Sequence, residues 1–435
     1  MLSSIPFSTL PKTFQDAIRA TLKLGYSYLW IDSLCIIQDS TSDWAAQSAI
    51  MGDIYHNSTL CIAAVASRSG SDGCFRSRNP LSSFACKLGC KEDQTLYANL
   101  NSAQVRQKFL IEHAAPLWTR AWVFQETMLS PRTLNFTSDL LFWDCRHLQG
   151  WESMPAEVLT DAAVYTPKHY LGRVEGASSD LLRTGMSFSK LKRMRGFWEA
   201  IVYEYTTSDL TFEQDRLVAL AGVAKLIGRW MGESTYLAGL WKDGQDSLLH
   251  YVLWKTSDKG TAPTRSTTYI APSWSWASVA ATIVFHQHKD SFKPIAKIVE
   301  ADVTLKDPES RFGEVTDGRL AVSGYFLNAT PCQNATDDGT FEFPFGGSLD
   351  MSWDTKPPGY DEAANGVMCL FMSFERFEAR GVLRPHACSY AGLILEPARA
   401  DLKFFRRRGM FFVGSHDAEW LEVPQGAEEH DIVIC

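Results

Sequence analysis

The chain has 435 residues, too many for one ordinary core, so two or three domains are expected; 45% hydrophobic and 21% charged residues mark an ordinary globular composition and exclude a disordered or fibrous class. A net charge of −8 with a pI near 5.7 argues against a general nucleic-acid binder. No stretch supplies the roughly 18 uninterrupted apolar residues that a membrane-spanning helix needs.

Residues 9–25 read as a first helix, with Phe14, Ala17, Ile18, Thr21 and Leu22 at helical spacing and Gly25 placed for a left-handed end. Tyr28-Leu29-Trp30-Ile31 then has the length and composition of a strand buried on both faces. A parallel sheet presents its polar chemistry just past the carboxyl end of such a strand, where Asp32, Ser33, Cys35 and Asp39 follow. Asp43 or Ser42 is placed to cap a second helix carrying Trp44, Ser48, Met51 and Tyr55, and 59–66 reads as a second buried strand. Helix, strand, helix, strand with short connections is a parallel α/β unit.

Residues 67–79 form a loop whose Arg68, Arg76 and Arg78 face either an anionic ligand or solvent. A further helix over 116–130 places Trp118, Trp122, Gln125 and Leu129 on one face and stops at Pro131. A hairpin around Thr137-Ser138-Asp139 follows. Residues 149–188 turn polar and read as a linker, 189–262 as a helical region and 263–435 as β-rich. Pro272-Ser273-Trp274-Ser275-Trp276 reads as an extended packing segment that ties the tail to the helices. The ten cysteines are scattered, Cys86 and Cys90 being the one close pair, so no metal set is expected and free thiols in a reducing cytoplasm are the better reading.

Several of these blocks resemble the fungal HET (heterokaryon incompatibility) domain proteins. Leu10-Pro11-Lys12-Thr13-Phe14 and Tyr28 through Asp39 are similar to that domain's first motifs. Asp43-Trp44 with Ile54-Tyr55, then Arg120-Ala121-Trp122-Val123-Phe124-Gln125-Glu126, resemble its next helix and its closing motif. Ala271 through Ser278 resembles the C-terminal region of long members. The resemblance implies an N-terminally shortened HET domain over residues 1–148, with a TIR-like or flavodoxin-like parallel sheet. It implies a cytoplasmic protein of non-self recognition, acting through a protein partner or self-assembly and leading to programmed cell death. The alternative is a hydrolase that takes NAD as its substrate, or another cytosolic enzyme, using the cleft beyond Asp32, since TIR domains share the sheet and some cleave NAD.

Cleavage at the nicotinamide–ribose bond calls for a carboxylate beside an oxocarbenium-like transition state. Asp32, Asp39 and Glu126 are the candidate acids, and Cys35 is a candidate nucleophile with His56 and His113 the nearest bases in sequence. Ser33, Trp44, Gln47, Arg120 and Gln125 are candidate ligand contacts. Gln47 stands where the family helix commonly carries Glu, and an amide there offers hydrogen bonds but no negative charge. Each candidate has a structural alternative: capping for Asp39, an ion pair for Glu126, a buried thiol for Cys35, core packing for the tryptophans.

Overall fold

The computed structural model describes residues 4–78, 86–91, 94–98, 115–152, 168, 171, 188–244, 247–257, 262–286, 293–331, 341–346, 348–355, 367–377, 387–399, 403–415 and 423–435. The chain forms two compact units: the first is Met1–Ser187 with Ser208–Leu210 and Ala219–Val223, the second is the remainder.

In the first unit, helix α1 (Lys12–Lys23) follows a 3-10 turn, and Gly25 at φ +84 turns the chain out of it as expected. Its buried residues are Asp16, Ala20 and Thr21, whereas Leu22 is 65% exposed, so a polar anchor rather than the apolar stripe fixes this helix. The segment after it corrects the sequence reading. Tyr28–Ile31 joins no strand, and Tyr28 is 93% exposed. Ile31 is extended, but extended backbone becomes a strand only where a neighbour takes up its N–H and C=O groups. Asp32–Cys35 is instead a single helical turn, α2.

Helix α3 (Thr41–His56) starts at Ser40, whose hydroxyl accepts from the Asp43 N–H, two residues before Ser42 and three before Asp43, the expected caps. Strand β1 (Cys61–Ala63) occupies part of the second apolar run, and β2 (Cys86–Lys91) pairs antiparallel with β3 (Gln94–Ala98). Helix α4 (Ala121–Leu129) leads into β4 (Arg132–Phe136), β5 (Leu141–Cys145) and β6 (Gln149–Trp151). Trp118 lies in the turns ahead of α4, not on the helix as expected.

The sheet runs β1-β4-β5-β6, with β1 parallel to β4 and the other pairs antiparallel. The unit is thus mixed α/β, and the expected flavodoxin-like sheet amounts to one parallel pair among the described residues. The β4–β5 hairpin forms as expected, closed by a Thr137 hydroxyl that donates to Leu140 O at 2.6 Å.

The second unit carries helices α5 (Phe188–Thr206) and α7 (Ser247–Tyr251), with α6 (Val218–Gly228) giving residues to both units. The stretch read as helical also holds strands β7 (Thr235–Leu237), β8 (Leu240–Lys242) and β9 (Trp254–Thr256), the last paired with β10 (Ile283–Phe285).

The β-rich tail is a nine-stranded sheet. Its strands are β11 (Lys293–Pro294), β12 (Lys297–Leu305), β13 (Val315–Pro331), β14 (Phe341–Glu342), β15 (Ser348–Trp353), β16 (Val367–Phe377), β17 (Ala387–Pro397), β18 (Phe404–Ser415) and β19 (Glu428–Ile434). The pairings β16-β17-β18-β19-β13 return to β16, so five strands close a circuit that leaves no free edge between them. Phe371, Phe374, Tyr390, Phe411 and Val413 fill its core.

The Pro272–Trp276 segment packs as expected but is not extended: the Ser275 N–H turns back to Pro272 O at 2.9 Å, and a 3-10 helix begins at Trp276. Trp274 and Trp276 are fully buried, the Trp276 and Trp198 indoles both donate to Gly239 O at 2.9 Å, and Ser273 N–H donates to Cys435 O at 3.0 Å.

Candidate functional site

Helices α3 and α4 pack against each other in the first unit, and the Trp44 and Trp122 rings meet edge to face across them at 6.3 Å. This contact brings the last turn of α3, with Tyr55, beside Glu126 on α4. The Tyr55 hydroxyl hydrogen-bonds the Glu126 carboxyl. The extended Tyr28–Ile31 segment runs to the same place, since the Trp30 ring stands edge-on to Tyr55 at 5.6 Å. Asp32, two residues on, is close enough for its charge to act on both Tyr55 and Glu126.

The electrostatics follow from that enclosure. Burial pushes the Glu126 carboxyl up to about 7, with the negative charge of Asp32 adding to the rise; the Tyr55 hydrogen bond and the Arg120 guanidinium pull the other way. Tyr55 is held well above the ordinary phenol range by burial and by the charge on Glu126. Burial and Glu126 also push the Cys61 thiol up to about 12, against a hydrogen bond with Ser130. Ser130 donates to Glu126 O at 2.7 Å, which fixes the end of α4. A carboxyl near 7 gives or takes a proton at neutral pH, while the phenol stays protonated as a donor.

The structure therefore gathers Asp32, Glu126 and Arg120 from among the sequence candidates, and adds Tyr55 and Cys61. Tyr55 ends the helical face that carries Trp44, Ser48 and Met51 on α3, and a ring with a polar tip at the end of such a face is the signal that would have found it.

The other candidates lie elsewhere. Asp32 Oδ1 accepts from the Ser33 N–H at 2.7 Å, and Ser33 is exposed. Cys35 is exposed, while His56 takes a 3.2 Å contact from Arg146 rather than facing the thiol; His113 lies outside the described residues. Asp39 is exposed in the turn before α3, a turn held by Asp43, which accepts the Ile37 N–H at 2.8 Å. Gln47 is half-buried on α3. Gln125 is buried and accepts the Gly222 N–H at 2.6 Å, so its amide serves the packing of α4 on α6.

Residues 2–126 match the family described as heterokaryon incompatibility protein (HET). The chain carries a HET domain. The match ends on Glu126, so the HET domain contributes Asp32, Tyr55 and Glu126 to the cluster, whereas β4, β5 and β6 lie beyond it. No curated protein and no solved structure matches the chain. Among the described residues no helix is long and apolar enough to cross a membrane, and no group of three or more His, Cys, Asp or Glu stands together as a metal site.

Proposed function

We propose that this HET-domain protein acts in non-self recognition of the heterokaryon-incompatibility kind, in the cytoplasm of a fungal cell, through a protein partner or self-assembly, and that its activation ends in cell death. The observation that carries this reading is the HET match over residues 2–126. The test is inducible expression of the full chain in a fungal host, scored by growth arrest and loss of viability. Arrest that follows induction, and is lost when the HET domain is disrupted by Gly52→Trp, supports it. Unchanged growth at confirmed expression, alone and beside candidate partner strains, sinks it.

A second reading makes the protein a hydrolase that cleaves NAD. Its support is the Glu126 carboxyl, held near 7 and hydrogen-bonded to Tyr55 with Asp32 close by. Such a carboxyl suits acid–base work, and Asp32 offers charge to an oxocarbenium-like centre. Nicotinamide release by the purified full chain, compared with Asp32→Ala and Glu126→Ala, tests it. Turnover that survives both substitutions removes these acids from any such reaction.

A further inference from the structure

The carboxyl ends of the one parallel pair in the first unit open onto a groove of about 620 Å³. Strands β1 and β4 leave the sheet side by side, the Ala66 N–H donating to Phe136 O at 3.2 Å just past both ends. Arg68, Asp72 and Arg76 come from the loop after β1, Thr137 and Ser138 from the turn after β4, and Trp118 forms a wall. Ligands in α/β proteins collect in this position, because the chain must diverge there and leaves a crevice. The rule that pointed past Ile31 in the sequence applies instead to Ala63 and Phe136.

The loop is built to hold its arginines in place. Asp72 accepts from the Arg68 N–H at 2.7 Å and the Ser69 N–H at 3.3 Å, which pins the turn by its backbone. Arg76 donates to Ala66 O at 2.7 Å and lies 3.8 Å from Asp72, so its orientation is set. The guanidinium of Arg68 is exposed and makes no hydrogen bond or ion pair among the described residues. Two guanidinium groups against one carboxylate leave the lining positive on a chain whose net charge is −8. The volume is that of a small-molecule site, not of a track for a polymer.

We propose that this groove binds a small phosphomonoester borne on a flat ring system, with the phosphate on Arg68 and Arg76 and the ring against Trp118. Guanidinium forks match phosphate oxygens pairwise, and an indole offers a flat apolar face to a ring. Glu126 is not among the residues that line the groove, so the inference stands apart from both readings above.

Titration calorimetry on the full chain, with adenosine monophosphate, adenosine and inorganic phosphate as separate probes, tests it. Saturable binding of the monophosphate is expected, with adenosine and phosphate each about tenfold weaker or worse. Arg68→Ala is expected to weaken the monophosphate by about tenfold and Arg68→Lys by less, since Lys keeps the charge and loses the fork. Absence of saturable binding to the folded chain overturns the proposal, as does an affinity untouched by Arg68→Ala. Adenosine binding as tightly as its monophosphate removes the phosphate site, and inorganic phosphate matching the monophosphate removes the ring site.

Discussion

Gly52 on α3 lies so close to Gly222 on α6 that a methyl group built on either would stand 2.8 Å from the other's Cα. The approach is backbone to backbone, so neither side has a flexible chain end that can move aside. On Gly222 the added carbon would also meet the Gln125 amide oxygen at 2.6 Å, breaking into the hydrogen bond that this oxygen accepts from the Gly222 N–H. Gly52→Ala and Gly222→Ala are each expected to cost the first unit about 1–3 kcal/mol. Gly196→Ala in α5, where an added Cβ meets nothing within 4 Å, is the control and should stabilise its helix by about 0.5–1 kcal/mol. Thermal unfolding followed by tryptophan fluorescence separates the two behaviours.

Asp16 is fully buried on α1 and ties that helix to the loop after β1. It accepts from Lys12, from Arg19 at 3.0 Å, and from the Cys74 and Phe75 N–H groups at 3.0 and 3.4 Å. Burial alone would raise its pKa, but the Lys12 hydrogen bond and the two backbone donors outweigh it and hold the carboxyl below its ordinary 3.8. Asp16→Asn is expected to cost about 2–4 kcal/mol at neutral pH, because two cations lose their partner. A depressed carboxyl contributes fully above its unfolded value and loses that contribution as pH falls through the folded one. The gap between wild type and Asp16→Asn in urea midpoint should therefore narrow below about pH 4. Gly73→Ala should fail by a different route, since Gly73 sits at φ +80 with its missing Cβ 2.5 Å from Asp16 Oδ2.

What the sequence made legible was local. The β4–β5 hairpin was readable because Thr137-Ser138-Asp139 is turn chemistry between two apolar runs, and no distant partner is needed to close it. Gly25 was readable for the same reason. Tyr28–Ile31 was not, because a short apolar run looks the same whether it enters a ladder or lies extended with one ring against Tyr55. Asp32 and Glu126 were named from residue type, but Tyr55 was not, since the packing of α3 on α4 that joins it to Glu126 is long-range. Gln125 and Glu126 show the limit most directly. They are neighbours on one helix, about 100° apart, and one turns to Gly222 while the other turns to Tyr55.

Arg407 in the second unit is a buried cation whose two Nη atoms are both partnered, while its Nε makes no hydrogen bond among the described residues. Its Nη1 donates to Val252 O at 2.7 Å and its Nη2 to Asp354 at 3.1 Å and to Trp254 O, while its guanidinium carbon lies 3.4 Å from the centroid of the Trp254 ring. Arg265 bridges to the same carboxylate at 2.9 Å. Arg407→Met removes one cation and leaves Asp354 buried with Arg265 alone, which is expected to cost about 3–5 kcal/mol. Arg407→Lys should recover only part, because an ammonium cannot span Val252 and Asp354 while covering the indole. A double-mutant cycle with Asp354→Asn, read by denaturant unfolding, should show strong coupling; additive losses would mean that the two groups do not depend on each other.

The Glu126 carboxyl makes the first unit's stability depend on pH in the opposite sense to Asp16. Its ordinary value is 4.5 and burial raises it to about 7 in the folded chain. Between those values the native state holds a proton that the unfolded chain has lost, so the contribution is complete at low pH and disappears as pH rises through about 7. The span corresponds to a contribution on the order of 3 kcal/mol. Glu126→Gln stays neutral at every pH and keeps an oxygen for the Tyr55 hydroxyl. The variant should match wild type near pH 4 and exceed it in melting temperature near pH 8, with the change spread from about 4.5 up to the folded value and complete above it. Tyr55→Phe removes a hydrogen bond that pulls the carboxyl down, so its own profile should go on changing to a higher pH than that of wild type. A difference between wild type and Glu126→Gln that stays constant across this range would show that Glu126 is ionised throughout and that its carboxyl is open to water.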